Sequence, residues 1–395
     1  MLTFASDVER LTSNRPKSLR ALRALRKIFH FQLATMSLYK ILVRPLMSLL
    51  PAEVGHNFSS AVLRFVGRGS FGQWLLRRLY SWRHPSLERE VFGVRFANPI
   101  GAAAGLDRDA TLYRPLGALG FGFVEIGTIT PKPQAGGIKP RLFRLRGERA
   151  LVHRMEFPNC GIEKCVDHLR RRAYGHKVVV GANIAPNSVV LPDRMPVEYL
   201  KTFRPLYQYV DYFTVNVVPI IGSGESYCAT DKALVERVLD GLFDFRRGQN
   251  DYRPVLLKIS PDWPMHIVDD MVQILIDTPL DGLVVADCSA RLGSRLSKRQ
   301  LSRMNGGVMG GAPLLERTIE LVDYVCRKMN YHYPVIGVGG IMSAADAQRV
   351  LDAGASLVQC YSALHYEGPA FAGRACRELV KNVSTVDRQP STVEK

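Results

Sequence analysis

Acidic residues are in short supply. The chain sets 36 Asp and Glu against 53 Lys and Arg, a formal net charge of +17 over 395 residues. So large an excess suits an anionic partner, either a membrane surface or a nucleic acid. Nucleic acid is disfavoured by two further absences: there is no zinc-finger spacing and no interleaving of aromatic with basic residues. Cysteine is sparse, 7 in all, and Cys160 and Cys165 are the one close pair, with no second pair to answer them. A zinc centre or other metal site is therefore not expected, and a reducing compartment is. No apolar run reaches about 18 residues and no secretory signal opens the chain, so the sequence predicts no membrane-spanning helix.

What is there falls into four stretches. Residues 1–36 are basic and weakly patterned, with Arg15, Lys17, Arg20, Arg23, Arg26 and Lys27 among them. A flexible arm, an Arg-rich targeting segment and a start codon upstream of Met36 all remain open for this stretch. Residues 37–84 carry short amphipathic segments, SLYKILVRPLMSLL, HNFSSAVLRFVGRG and FGQWLLRRLYSW, with apolar residues at helical spacing and Arg between them. They read as interfacial helices that lay an apolar face in a bilayer while Arg meets phosphates, with a plain helical cap on a core as the alternative. Residues 85–385 repeat strand, loop and helix, and 386–395 form a polar tail.

Eight strand candidates stand in the third stretch: 94–105, 120–130, 177–185, 212–218, 255–260, 281–288, 334–340 and 355–364. Eight apolar strands alternating with helices predict an α/β fold, a (β/α)8 TIM barrel with the small N-terminal helical, membrane-associating domain attached. An open doubly wound sheet competes, but GAAAG is a poor version of its glycine fingerprint. Chemistry in a barrel sits at the C-terminal strand ends. Those ends offer Gly105 and Arg108, Thr128, Asn183, Asn216, Lys258, Asp287, Gly339 with Gly340, and Tyr361 with Ser362. Amides and a lysine on successive strands are costly to bury without a ligand or each other. IGVGG alone could be a tight turn; joined to Tyr361-Ser362 after the eighth strand it reads as a phosphate cradle. A buried Lys258 beside an aromatic cofactor would stabilise negative charge, which in a flavin develops at N1 on reduction.

IGAAAGLDRDA, GFGFVEIGTITPKPQAGGIKPRLFRL, VLLKISPD, IGVGGIMSAADA and GASLVQCYSAL resemble the class 2 (quinone-dependent) dihydroorotate dehydrogenases, and the likeness runs from about residue 38 to 380. LLPAEVGHNFSSAVLRF resembles that family's helical quinone-tunnel domain. The resemblance implies a (β/α)8 barrel holding FMN, oxidation of dihydroorotate to orotate, and a membrane quinone as acceptor. It also implies peripheral attachment to an anionic membrane surface, on the cytoplasmic face of a bacterial membrane or on the mitochondrial inner membrane. Carried over by match, the FMN contacts are Ala103, Ala104, Gly105, Arg108, Thr128, Asn183, Asn216, Lys258, Gly310, Gly339, Gly340, Tyr361 and Ser362. His56 and Arg144 match quinone-tunnel positions. Arg108, His153, Asn159, Asn216 and Asp287 match substrate positions.

The substrate side departs from the pattern. Family members read N-x-S-S-P-N-T where this chain has NVVPIIG, and the second Ser is their catalytic base. Counted without gaps, Pro219 holds that position; with a one-residue gap, Val218 does. Ile221 replaces an orotate-binding Asn. HRMEFPN stands for N-R-x-G-F-N-N, so His153 replaces an Asn, and Ala286-Asp287-Cys288 stands for T-N-T. Three readings follow. A dihydroorotate dehydrogenase has a displaced base, with Ser223, Ser226, Cys228 and His153 as candidates. Or an FMN oxidoreductase of the same fold takes another substrate. Or a flavin-binding paralogue does not turn over.

Overall fold

The computed structural model describes Tyr39, residues 44–170, 178–217, 231–291, Ser302, Met304 and 307–386. Eight parallel strands close into a barrel: β1 Ile100–Asp107, β2 Phe123–Ile129, β3 Val179–Ile184, β4 Tyr212–Asn216, β5 Val255–Ile259, β6 Gly282–Val285, β7 Val335–Val338 and β8 Leu357–Cys360. Closure is made by Val358 of β8 lying opposite Ile100 of β1. These strands read as near-continuous apolar runs because helices cover one face and the barrel interior the other. β2 is the extreme case, with all seven residues of FVEIGTI buried. Side-chain caps start two of the outer helices. Asp231 accepts from Ala233 N (3.0 Å) ahead of Lys232–Arg247, and Ser343 accepts from Asp346 N (3.1 Å) ahead of Ala344–Asp352.

The strand expected over 94–105 is two. Val94–Phe96 pairs antiparallel with Arg89–Val91, and β1 starts afresh at Ile100. Asn98 and Pro99 separate them. Pro99 has no N–H to give a ladder, and the Asn98 amide instead donates to Gly120 O (3.1 Å) and accepts from Ile100 N (3.0 Å). The hairpin brings Phe96 beneath the barrel, edge-on to Phe123 at 5.2 Å between ring centres, with Tyr212 beside them. Glycine makes room for these rings. A Cβ at Gly101 would lie 2.2 Å from the Phe123 ring, and one at Gly181 2.1 Å from the Tyr212 ring.

Over the C-terminal mouth lies a sheet the strand pattern did not announce. Ala150–His153 runs between Leu142–Leu145 and Val308–Gly311, all antiparallel. Helices α1 (Ala52–Val66) and α2 (Ser70–Tyr80) belong to the same compact unit as the barrel, Leu50–Lys395. Two compact units meet at Leu49 and Leu50. Arg141 Nε donates to Glu53 Oε1 at 2.8 Å, tying α1 to the loop before Leu142. The α1 face bearing Ala52, Gly55 and His56 is buried, while Val54, Phe58, Val62 and Phe65 are exposed, as are Phe71 and Trp74 of α2. The short helix Arg44–Leu49 lies in the other unit. The expected tail lies outside the described residues beyond Val386.

Candidate active site

A cavity of about 380 Å³ opens at the C-terminal ends of the strands. That is inside the roughly 300–1,000 Å³ typical of ligand and cofactor sites. Ala103, Ala104 and Gly105 of β1 form a wall with almost no side chain, and Gly310 and Gly311 face it from the cover sheet. The loop after β7 contributes Gly339 and Gly340, and the loop after β8 contributes Tyr361 and Ser362. Gly340 has φ +76°, and a Cβ there would sit 2.2 Å from Leu315 N, so nothing larger fits.

The polar side chains at the mouth rest on a network inside the barrel. Glu125 of β2 is fully buried. It accepts from Asn183 Nδ2 (2.8 Å), Tyr212 OH (3.2 Å), Thr214 Oγ1 (3.0 Å) and Gln359 Nε2 (2.7 Å). Asn183 Oδ1 then accepts from Thr128 Oγ1 (2.7 Å) and Asn216 Nδ2 (3.1 Å). Thr128 and Asn216 reach the cavity lining; Asn183 stands beneath them and orients both. Sequence reading missed Glu125 and Gln359. The available signal was a lone carboxylate in the middle of an otherwise apolar strand.

Lys258, the penultimate residue of β5, is buried with its Nζ 3.1 Å from Asp287 Oδ1. Burial alone would lower its pKa, but Asp287 and then Glu125 overcome that and hold the ammonium above its ordinary value. Asp287 and Cys288 follow β6, and His153 enters from the cover sheet, with Nε2 3.3 Å from Cys288 Sγ. Burial pushes His153 down to about 4, against the pull of Asp287. Burial, then Asp287, raises the Cys288 thiol. His153 is thus a neutral imidazole and Cys288 a thiol near pH 7. Among the described residues, three that line this cavity each carry a buried atom with no hydrogen-bond partner: His153 Nδ1, Trp263 Nε1 and Gln359 Oε1. Orphans of this kind are rare in folded proteins.

Arg108 links the cavity to α1. Its Nε donates to Gly105 O (3.2 Å), and its Nη2 lies 3.3 Å from His56 Nε2. His365, which sequence reading did not single out, faces His56 at 5.3 Å and Tyr361 at 5.8 Å between ring centres. Burial, then His365 and Arg108, keeps His56 well below the usual histidine range, and burial, then Arg144 and Arg108, brings His365 to about 4. Arg144, whose charge is felt at His365, stands on the strand Leu142–Leu145. Asn159 is near the site but not in its lining. Its amide donates to Thr130 Oγ1 (2.9 Å) and Phe157 O (2.8 Å), which fixes the loop. Pro219, Ile221, Ser223, Ser226 and Cys228 lie outside the described residues.

A family model described as dihydroorotate dehydrogenase matches residues 86–383. The dihydroorotate dehydrogenase (quinone) of Christiangramia forsetii is 37% identical over 337 residues, 84% of this chain and 96% of its own. That of Kineococcus radiotolerans is 37% identical over 354 residues, 88% and 96% of the two chains. Among solved structures, DHODH from Eimeria tenella in complex with ferulenol superposes with a TM-score of 0.74 at 25% identity, covering 85% of this chain and 92% of that one. A closed eight-stranded barrel, a glycine-walled cavity at its mouth and relatedness over most of the length agree, and the chain belongs to the dihydroorotate dehydrogenase family.

Proposed function

We propose that the cavity holds FMN and that the chain oxidises dihydroorotate to orotate, with a membrane quinone as electron acceptor. One observation carries the reading: a buried lysine ion-paired to Asp287 lines a cavity whose wall at Ala103–Gly105 is stripped of side chains. A flat ring system fits against Ala103–Gly105. Lys258 would hold its electron-rich edge, and backbone N–H groups at Gly339–Gly340 and Tyr361–Ser362 its phosphate. Bound there, the flavin would supply the hydride acceptor and pass the electrons on. Asn216 and Arg108 would orient the substrate. Orotate carries a carboxylate, which a lone Asp287 would repel. Its pairing with Lys258 removes that objection. Of the four candidate bases, His153 is the one among the described residues, and as a neutral imidazole it keeps a lone pair to receive a proton.

Membrane attachment fits the helix pair. Phe65 and Phe71 are 81% and 73% exposed, and Arg77 and Arg78 end α2. An apolar face beside arginines suits the headgroup boundary of an anionic bilayer. Among the described residues no helix is long and apolar enough to cross. His56, which meets Arg108 of the cavity lining and faces His365, would line the quinone's approach together with Arg144.

A second reading, an FMN oxidoreductase with another substrate, is favoured by the His153–Cys288 contact, which occupies the mouth where the family's amides would bind a pyrimidine. Anaerobic addition of dihydroorotate to the purified holoprotein separates the two. Bleaching of the flavin band supports the first reading. A flavin that bleaches with dithionite but not with dihydroorotate overturns the first and is the outcome expected both of the second and of a flavin-binding paralogue without turnover. A colourless protein overturns both.

A further inference from the structure

We infer that Asp287, by holding the Lys258 ammonium, lowers the reduction potential of the flavin below that of the same site carrying an amide at 287. The inference rests on the FMN reading above and goes on to the strength of the oxidant that this chain makes of its cofactor. Val284 of β6 lies opposite Lys258 of β5 in the barrel register, so Asp287, three residues on, leaves the neighbouring strand end beside the lysine. Asp287 Oδ1 meets Nζ at 3.1 Å, with the lysine side chain 5% and the aspartate 25% exposed. Glu125, fully buried in the network below, adds a second carboxylate to the field at the same ammonium.

Charges this well buried are weakly screened, so each is felt by whatever occupies the cavity. Two-electron reduction of a flavin with one proton taken up at N5 leaves one negative charge at the N1 edge. A free ammonium stabilises that charge; an ammonium closed on a carboxylate stabilises it far less. The electrons come from the substrate C–H bond as hydride, and a base takes the second proton, so no other reductant is needed. An amide at 287 could still accept a hydrogen bond from Lys258 but would remove the carboxylate in contact with it, leaving only the field of Glu125. Asp287 is therefore a tuning residue. It favours return of electrons from the reduced flavin to the acceptor over their uptake from the donor.

The test compares wild-type holoprotein with Asp287→Asn. Midpoint potential is measured by dye equilibration, and sulfite affinity by loss of flavin absorbance. Sulfite adds to flavin N5 without any oxidant and leaves the same negative charge on the ring, so it reads the same field. Asp287→Asn should bind sulfite at least tenfold more tightly. Its potential should rise by about 30 mV for each tenfold change in the two-electron equilibrium. Asp287→Glu, which keeps the charge, should stay within threefold of wild type. Should Asp287→Asn shed its flavin, Asp287→Ser is compared with Asp287→Glu in the same assays. A flavin-bearing, charge-removing variant with unchanged potential and sulfite affinity overturns the inference and leaves the FMN reading standing. Loss of flavin from all three variants also overturns it, since Asp287 would then be a binding contact. A colourless wild type overturns both.

Discussion

Removing the carboxylate of Glu125 tests whether the barrel interior organises the mouth. The four groups that donate to it are of two kinds. The hydroxyls of Tyr212 and Thr214 can rotate and find another acceptor. The amides of Asn183 and Gln359 cannot turn their NH2 groups away without turning an oxygen in, and Asn183 Oδ1 is already needed by Thr128 and Asn216. In Glu125→Ala two buried amide donors thus lose their partner, at about 1–3 kcal/mol each, or roughly 2–6 kcal/mol together before the void is counted. Relief of burying a charge does not cancel this, because the polar partners stay behind. Against a typical total of about 5–15 kcal/mol, the loss is severe. Glu125→Gln keeps the shape and one acceptor and should lose about 1–3 kcal/mol. Equilibrium urea unfolding of the two variants checks the order, Ala worse than Gln. Ala within ~0.5 kcal/mol of wild type, below what even one unpaired amide should cost, would refute the reasoning and mean that the network re-pairs without its centre.

Three further outcomes are expected. Gly340→Ala adds a Cβ 2.2 Å from Leu315 N at a backbone with φ +76°, so it should lose most bound flavin, read as the absorbance ratio of the purified protein. Phe65→Asp with Phe71→Asp should abolish most co-sedimentation with anionic vesicles while leaving the far-UV circular dichroism unchanged, since both rings are exposed. His153 and His365, both near 4 when folded, refuse protons that the unfolded chain takes up from pH 6.5 downward. Stability is thus fully present above about 6.5 and is lost as pH falls toward 4, by up to ~1.4 kcal/mol per pH unit for each group. Asp107, raised to about 6 by burial, acts with the opposite sign, losing stability as pH rises from 3.8 to about 6. The check is therefore the difference between wild type and His365→Gln, whose denaturation midpoint should vary less across that window.

The barrel was legible because parallel strands sealed on both faces leave apolar runs with polar residues at their ends. Lys258, Asn216 and the Gly339–Gly340 turn fell where that rule puts them. The cover sheet was not legible. Its strands are four residues each, and their partner at Val308–Gly311 is far away in the chain. The contacts of Cys288 with His153 and of His365 with His56 were missed for a related reason. His153, Cys288 and His56 stood out by motif, but each contact joins loops or helices that only the closed barrel brings together, so nothing local names the partner. Of the Asp287–Lys258 pair, the two residues at neighbouring strand ends were legible, and the distance to Nζ disclosed that they are partners.

The floor of the barrel carries a different lesson. Gly101 and Phe123 are complementary halves of one space, and so are Gly181 and Tyr212. Changing one half alone yields either a collision or a hole, whereas exchanging both at once can keep the volume. Such paired positions act as a keel, tolerant of change only when both halves change together, whereas a loop above it can be altered singly. A barrel built this way can take new side chains at its mouth, where His153, Asp287 and Cys288 stand, without rebuilding the hull beneath.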